Sequence, residues 1–506
     1  MIERLLTFPL ILILAGIAAV AMLIPAAHAL VQQDHSVAQA FAYSSVLGLT
    51  LLVLIGLALS GRKRADNSDL ENLASLLLAF TVLPLFLALP FYEGVETTNF
   101  LNAYFEMVSS LTTTGASMFP DPGRLTDSLH LWRGIVGWFG GLLMWIAASA
   151  VLAPLNLGGF EVTASAEPGQ GGGQMERFER AGSAKRLAQV TLQLAPVYGG
   201  LTAALWLMLM IGGDRPLVSI MHAMSTMATS GISPIGGVQN AQSGFGGEAV
   251  VFLFLLFALS RLTFSSDTVS LSRPGLHNDP EFRLGAALVI GVPLLLFARH
   301  WVGAFDVDET ENLGMAAAAL WGGMFTVLSF LSTTGFESAS WEEARSWSGL
   351  GTPGLILLGL SMVGGGVATT AGGVKLLRVF ALYLNGQREL ERLVHPSSVG
   401  RAGAGSRRIR RRGAFVAWIF FMLFALSLTL VMLALSALGQ DFDDAMILST
   451  AMLSTTGPLV SVAAETPINL AILSQPIKLV LCAAMVVGRL ETLAIIALLN
   501  PVLWRR

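Results

Sequence analysis

Read for hydrophobic and polar positions, the chain is a succession of apolar runs separated by short polar connections. Leu10–Ile24, Leu73–Phe91, Val250–Leu259, Phe415–Leu435 and Ile477–Leu499 approach or reach the roughly 20 residues that span a bilayer. Between such runs lie four less apolar segments, 98–115, 216–231, 313–335 and 441–457, each ending in hydroxyl residues and a glycine. Ten to fourteen apolar residues is the length of a re-entrant segment rather than a span. Non-helical backbone at membrane depth is tolerated only where protein or a water-filled cavity surrounds it. The pattern therefore predicts an all-α polytopic membrane protein of ten spans, with four re-entrant helices whose turns face a cavity.

The four turns share a register. Gly115, Gly231, Gly335 and Gly457 are preceded by Thr114, Ser230, Thr334 and Thr456, and one position earlier by Thr113, Thr229, Thr333 and Thr455. Four positions before the glycines stand Leu111, Met227, Leu331 and Leu453; six before stand Ser109, Ser225, Ser329 and the exception Ala451. The glycines are 116, 104 and 122 residues apart, so the repeating unit is span, half-helix, Thr-(Thr/Ser)-Gly turn, span. Repeats determine architecture more firmly than a single motif. The implied division is an N-terminal transmembrane hairpin (1–61), repeat 1 (62–157), a linker with repeat 2 (158–273), repeat 3 (274–375), a basic linker (376–412) and repeat 4 (413–506).

Composition agrees with the membrane reading: 54% of the 506 residues are hydrophobic and 12% charged, against about 25% charged in soluble domains. Basic residues collect in alternate connections, at Arg62–Arg64, Arg177–Arg186, Arg273 and Arg283, Lys375–Arg412 and Arg505–Arg506. By the positive-inside rule these are cytoplasmic, and so are both termini. The acidic stretches Asp306–Asn312 and Asp441–Asp444 then lie outside. Ala27–Ala29 looks like a cleavage site, but the run before it is long and Met1–Arg4 carries no net positive charge, so a retained first helix is expected. One cysteine, Cys482, excludes an internal disulfide and a cysteine metal site. Neither a P-loop, nor His/Glu metal spacing, nor a nucleophile with its base is present, so no enzyme is expected.

A short helix that enters from outside and stops at mid-membrane points about half a negative charge at the bilayer centre. Four around one axis would stabilise a cation there, and the following turns could replace its water with backbone carbonyls and threonine hydroxyls. Glycine suits a turn that leaves the helical and extended regions. Oxygen dipoles without a carboxylate ring suit a large monovalent cation that must leave quickly. Single Ser/Thr-Gly sequences are ordinary helix-packing features in membranes; four in register are not.

The chain resembles the Trk/Ktr/HKT superfamily of potassium transporters, most closely the bacterial Trk-type potassium uptake pore subunit. The resemblance rests on the four turns and on three further stretches, Gly137–Pro154, Gly364–Arg378 and Gly488–Arg505. It implies four span–pore-helix–span repeats around one pore, with K+ held at Thr113, Gly115, Thr229, Gly231, Thr333, Gly335, Thr455 and Gly457. Gly115 in the first loop goes with potassium rather than sodium, whereas Ser230 and Pro458 depart from strict fourfold equivalence. The resemblance also implies a homodimer in the bacterial inner membrane and a cytoplasmic nucleotide-binding regulatory subunit. ATP, ADP or NAD would bind only on that partner; no nucleic acid is expected. A sodium- or proton-coupled cation symporter is the competing function. Such folds also place half-helix ends at mid-membrane, but in two inverted halves rather than four parallel repeats.

The glycine-rich run after Val363 interrupts the second span of repeat 3, since each glycine costs a helix about 1 kcal/mol relative to alanine. The resemblance makes it a gate beneath the filter, formed by Gly364, Gly365, Gly366, Thr369, Thr370, Gly372 and Gly373, anchored by Lys375 and bordered by Arg489. A charge such as Arg489 inside a span faces a bundle interior or water-filled path, and a structural ion pair with a carboxylate on another helix is the alternative. Arg261 receives no role, His222 reads as a packed polar side chain, and the basic segment 388–412 could meet lipid or an acidic partner.

Overall fold

A computed structural model describes residues 8–59, 69–160 apart from 154, 156 and 158, 183–260, 276, 279–304, 313–348, 354–395, and 411–495 apart from 465, 493 and 494. Among the described residues the ordered elements are helical. They are α1 (Leu10–Ala21), α2 (Leu23–Val31), α3 (His35–Leu59), α4 (Asp69–Thr81), α5 (Leu83–Gly94), α6 (Phe100–Leu111) and α7 (Asp127–Ala147). There follow α8 (Ser183–Ile211), α9 (Pro216–Ala228), α10 (Gly244–Leu255), α11 (Pro280–Ala304), α12 (Leu313–Leu331), α13 (Trp341–Ser348) and α14 (Gly354–Val363). The last are α15 (Leu376–Val394), α16 (Arg411–Ala437), α17 (Phe442–Leu453), α18 (Leu459–Val462) and α19 (Gln475–Leu490).

Among the described residues, seven helical stretches are long and apolar enough to cross a membrane: Leu10–Val31, His35–Leu59, Asn72–Gly94, Asp127–Leu152, Arg186–Ile211, Pro280–Ala298 and Gly413–Ala437. The remaining predicted spans are the second helices of repeats 2, 3 and 4, and they are shorter in the described residues. Gly244–Leu259 ends at the extended Ser260, α14 stops at the glycine-rich run, and α19 ends at Leu490. The four re-entrant segments are α6, α9, α12 and α17. Three are 12 or 13 residues long, and α12 is longer at 19.

Local chemistry starts these helices. Asn99 caps α6 by accepting the Asn102 N–H at 2.8 Å, Pro216 opens α9 at a position where a missing N–H costs nothing, and Asp443 and Asp444 fill the first turn of α17. The N-terminal hairpin lies at the rim: most of α3 is exposed, with Tyr43, Val46, Leu47, Leu51 and Leu54 facing outward. By contrast α7 is buried almost throughout, because pore helices pack on it from both sides. Two second spans close tightly on their own pore helices through glycine. A Cβ on Gly140 would strike the Leu111 carbonyl, and one on Gly488 the Leu453 carbonyl. Those leucines hold the same position in the repeat.

Candidate functional site: a ring of four pore loops

Each pore helix ends in the same way. The threonine two residues before the glycine takes the left-handed conformation, with φ of 57° at Thr113, 50° at Thr229, 59° at Thr333 and 56° at Thr455. Its N–H and the next return to the helix. In loop 1 Thr113 N donates to Ser110 O at 3.0 Å and Thr114 N to Ser109 O at 2.8 Å. The same pair recurs from Thr229 and Ser230, from Thr333 and Thr334, and from Thr455 and Thr456. These are Schellman caps, with threonine at the position that glycine normally holds. A side chain there costs about 1–2 kcal/mol, a cost that recurs four times.

The hydroxyls divide by position. Those just before the glycine bond back to the helix end: Thr114 to Thr112 at 2.8 Å, Thr334 to Ser332 at 3.0 Å and Thr456 to Ser454 at 3.2 Å. In loop 2 Ala228 replaces that partner, and Ser230 reaches Ser225 at 3.1 Å instead. These hydroxyls brace the turns. The hydroxyl at the third residue before the glycine was not anticipated as a partner, although Thr112, Ser332 and Ser454 are visible in register.

The glycines hold the loops against one another. A Cβ on Gly115 would meet the Ser230 carbonyl, one on Gly231 the Thr334 carbonyl, one on Gly335 the Pro458 ring at 2.7 Å, and one on Gly457 the Ala116 backbone. Loop 1 thus touches loop 2, loop 2 touches loop 3, loop 3 touches loop 4 and loop 4 touches loop 1. The four turns close a ring. Gly115, Gly231 and Gly335 have φ of 74°, 66° and 83°, as expected, but Gly457 does not take a positive φ. Its need for glycine is one of space: Pro458 turns directly into α18, and Gly457 N donates to the Thr114 carbonyl at 2.6 Å.

The glycine-rich run sits under this ring as a loop between α14 and α15. Gly366 N donates to Ala258 O, and Val374 N and Lys375 N return to Met362 O and Val363 O, each at 2.9 Å. Val367 N donates to the Glu281 carboxylate at 2.9 Å. The top of the loop hydrogen-bonds to two of the four threonines. Thr229 Oγ1 donates to Thr370 Oγ1 at 3.2 Å, Thr370 Oγ1 donates to Met227 O at 3.1 Å, and Gly372 N donates to Thr333 Oγ1 at 2.7 Å. The hydroxyls of Thr113 and Thr455 are buried with no hydrogen-bond partner among the described residues.

Charged side chains frame the loop from below. Arg489 donates to the Thr370 carbonyl at 2.7 Å, while its Nε and Nη2 have no partner among the described residues. The nearby carboxylate, Glu491, instead binds Arg378 through both oxygens, at 2.8 and 3.3 Å, and Arg378 lies over the Phe420 ring. Lys375 is buried, with φ of 86°, and its ammonium donates to the Ala371 carbonyl.

Two buried carboxylates behind the ring, Glu106 and Glu248, act as clamps that the sequence reading does not single out. Glu106 pairs with Arg133 at 2.6 Å and accepts from Met118 N at 2.9 Å, fixing the arm that leaves loop 1. Glu248 accepts from Ala339 N at 2.6 Å, Ser338 Oγ at 2.7 Å and Trp321 Nε1 at 2.9 Å, fixing the arm of loop 3. His222 meets Ser233 at 2.9 Å and packs edge-on to Phe336, a packed polar side chain as read. The available signal was a lone charge within an apolar segment. Arg261 and residues 396–410 lie outside the described residues. Among the described residues no cluster of three or more His, Cys, Asp or Glu could hold a metal.

Fold and site together define a polytopic helical membrane protein in which four re-entrant loops form one ring above an intramembrane loop. The TrkH family model, described as cation transport protein, matches residues 300–503. The chain is 29% identical over 492 residues to the Trk system potassium uptake protein TrkH of Salmonella typhimurium, covering 96% of each chain. It is 29% identical over 495 residues to the protein of that name from Escherichia coli K12, again covering 96% of each. The crystal structure of the potassium transporter TrkH from Vibrio parahaemolyticus superposes with a TM-score of 0.80 at 25% identity, over 98% of both chains. The chain therefore resembles the bacterial Trk-type pore subunit, within the Trk/Ktr/HKT superfamily, along nearly its whole length.

Proposed function

We propose that this chain is a potassium-selective uptake pore whose filter is the ring of four Thr-(Thr/Ser)-Gly turns and whose gate is the loop from Gly364 to Gly373. The observation that carries this reading is the closed cyclic contact of the four turns, with the glycine-rich loop bonded to their inner side. The names of the full-length relatives agree with it. Carbonyls of the turns and the hydroxyls of Thr113, Thr229, Thr333 and Thr455 would replace the water shell of K+. The loop beneath occupies Thr229 and Thr333, so conduction requires it to withdraw, and Arg489 opposes cations while it holds Thr370. Both termini are placed in the cytoplasm by the positive-inside rule. Dimerisation, and control by a nucleotide-binding cytoplasmic subunit, follow from the resemblance.

The test is cation flux into liposomes holding the purified protein, under potassium, rubidium, sodium and choline gradients. Potassium and rubidium flux above sodium, with choline excluded, is expected. Flux that favours sodium, or that depends on an imposed proton gradient, would replace the pore with a coupled symporter.

A further inference from the structure

Two buried carboxylates stand behind the ring, and they differ in one respect. Glu106 is neutralised by Arg133 at 2.6 Å. Glu248, 2% exposed, has no cation within ion-pair distance among the described residues. Its Oε1 accepts the Ala339 N–H and its Oε2 the Trp321 indole N–H and the Ser338 hydroxyl. Neither N–H can accept a hydrogen bond, so both oxygens face donors, the set that suits a carboxylate anion. Unpaired charges at membrane depth are costly and mark ion pathways.

Glu248 lies near the start of α10, in repeat 2, yet its partners are in repeat 3. Ser338 and Ala339 follow Gly335 by three and four residues. An extended residue spans at most about 3.6 Å, so the carboxylate stands within about 15 Å of the third turn of the ring. We propose that Glu248 is a specificity-determining residue: its unneutralised charge sets how strongly cations occupy the outer end of the ring. This rests on the proposed cation path through the ring. The interaction of a fixed charge with an ion scales with the ion's valence, so Glu248 also raises the affinity for divalent blockers over that for monovalent ions. At about 10–15 Å and an effective dielectric near 20, one unit charge changes monovalent occupancy about five- to fifteenfold. For a divalent ion the factor is about the square of that.

The experiment measures Rb+ uptake and its block by Ba2+ in liposomes holding the full chain, for the wild type and for Glu248→Gln, Ser338→Ala and Glu248→Asp. Wild-type Rb+ uptake tests the underlying pore separately. Glu248→Gln is expected to raise half-saturation for Rb+ about five- to fifteenfold, and the half-blocking Ba2+ concentration by about the square of the measured Rb+ factor. Ser338→Ala removes a hydrogen bond without touching the charge and leaves the ratio of the two constants unchanged. Unchanged constants in Glu248→Gln, or equal factors for Rb+ and Ba2+, would overturn the proposal and leave Glu248 a structural brace. If Glu248→Gln does not fold, Glu248→Asp decides: it keeps the charge, and a wild-type ratio supports the proposal while a shifted ratio overturns it.

Discussion

Loops 2 and 3 of the ring differ from loops 1 and 4, although the four are written in nearly the same residues. Thr229 and Thr333 have their hydroxyls tied to Thr370 and Gly372 of the loop beneath, whereas those of Thr113 and Thr455 are buried and unbonded among the described residues. Thr455 stands beside Gly372 without a bond to it. The cause is topological. The inner loop belongs to repeat 3 alone, so it meets the four turns unequally. If the ring is the filter and the inner loop the gate, as proposed, a substitution should report on the gate in two loops and on the ion in the other two.

The largest effect is expected at the root of the gate. Glu491→Ala removes the carboxylate from a buried ion pair with Arg378, and breaking such a pair costs about 3–5 kcal/mol; a thermal melt of the detergent-purified protein reads it as a large loss of stability. Next comes the comparison itself. Thr333→Val keeps the β-branched shape but leaves the Gly372 N–H unbonded, a penalty of about 1–3 kcal/mol against the closed loop. Resting Rb+ leak should rise about five- to 150-fold. Thr113→Val removes a hydroxyl that bonds nothing among the described residues, so the leak stays near wild type while half-saturation for K+ rises. Equal behaviour of the two variants would break the division. Gly115→Ser places a side chain at φ of 74° against the Ser230 carbonyl. The left-handed cost of about 1–2 kcal/mol loosens the ring there, and the ratio of K+ to Na+ flux should fall. The smallest effect belongs to a brace: Thr456→Val loses the bond to Ser454 and about 0.5–1.5 kcal/mol, with the flux ratio nearly unchanged.

Periodic features were legible in the sequence and single contacts were not. The apolar runs and the four glycines in register marked the helices and the turns, because membrane spanning and sharp turning each restrict residue type over several positions. The left-handed threonines were not legible: the handedness of one residue depends on the cap it closes, and threonine is normally unfavourable there. Gly457 was read as a conformational glycine when the neighbouring Ala116 backbone is what requires it. The pairing of Glu491 with Arg378, rather than with its neighbour Arg489, depends on the start of α15 meeting the residue just past the end of α19. Sequence distance holds no trace of that approach. Glu106 and Glu248 stood out only as isolated charges, and their roles as clamps appear once the loops they hold are in place.

The central claim is that the ion binds on the axis of the ring formed by the four turns. Anomalous diffraction from crystals grown in rubidium measures it most directly. The account predicts Rb+ density enclosed by Thr113, Thr229, Thr333, Thr455 and the four glycines, weakened there by Gly115→Ser. Density confined to another place among the helices, with none inside the ring, would contradict it.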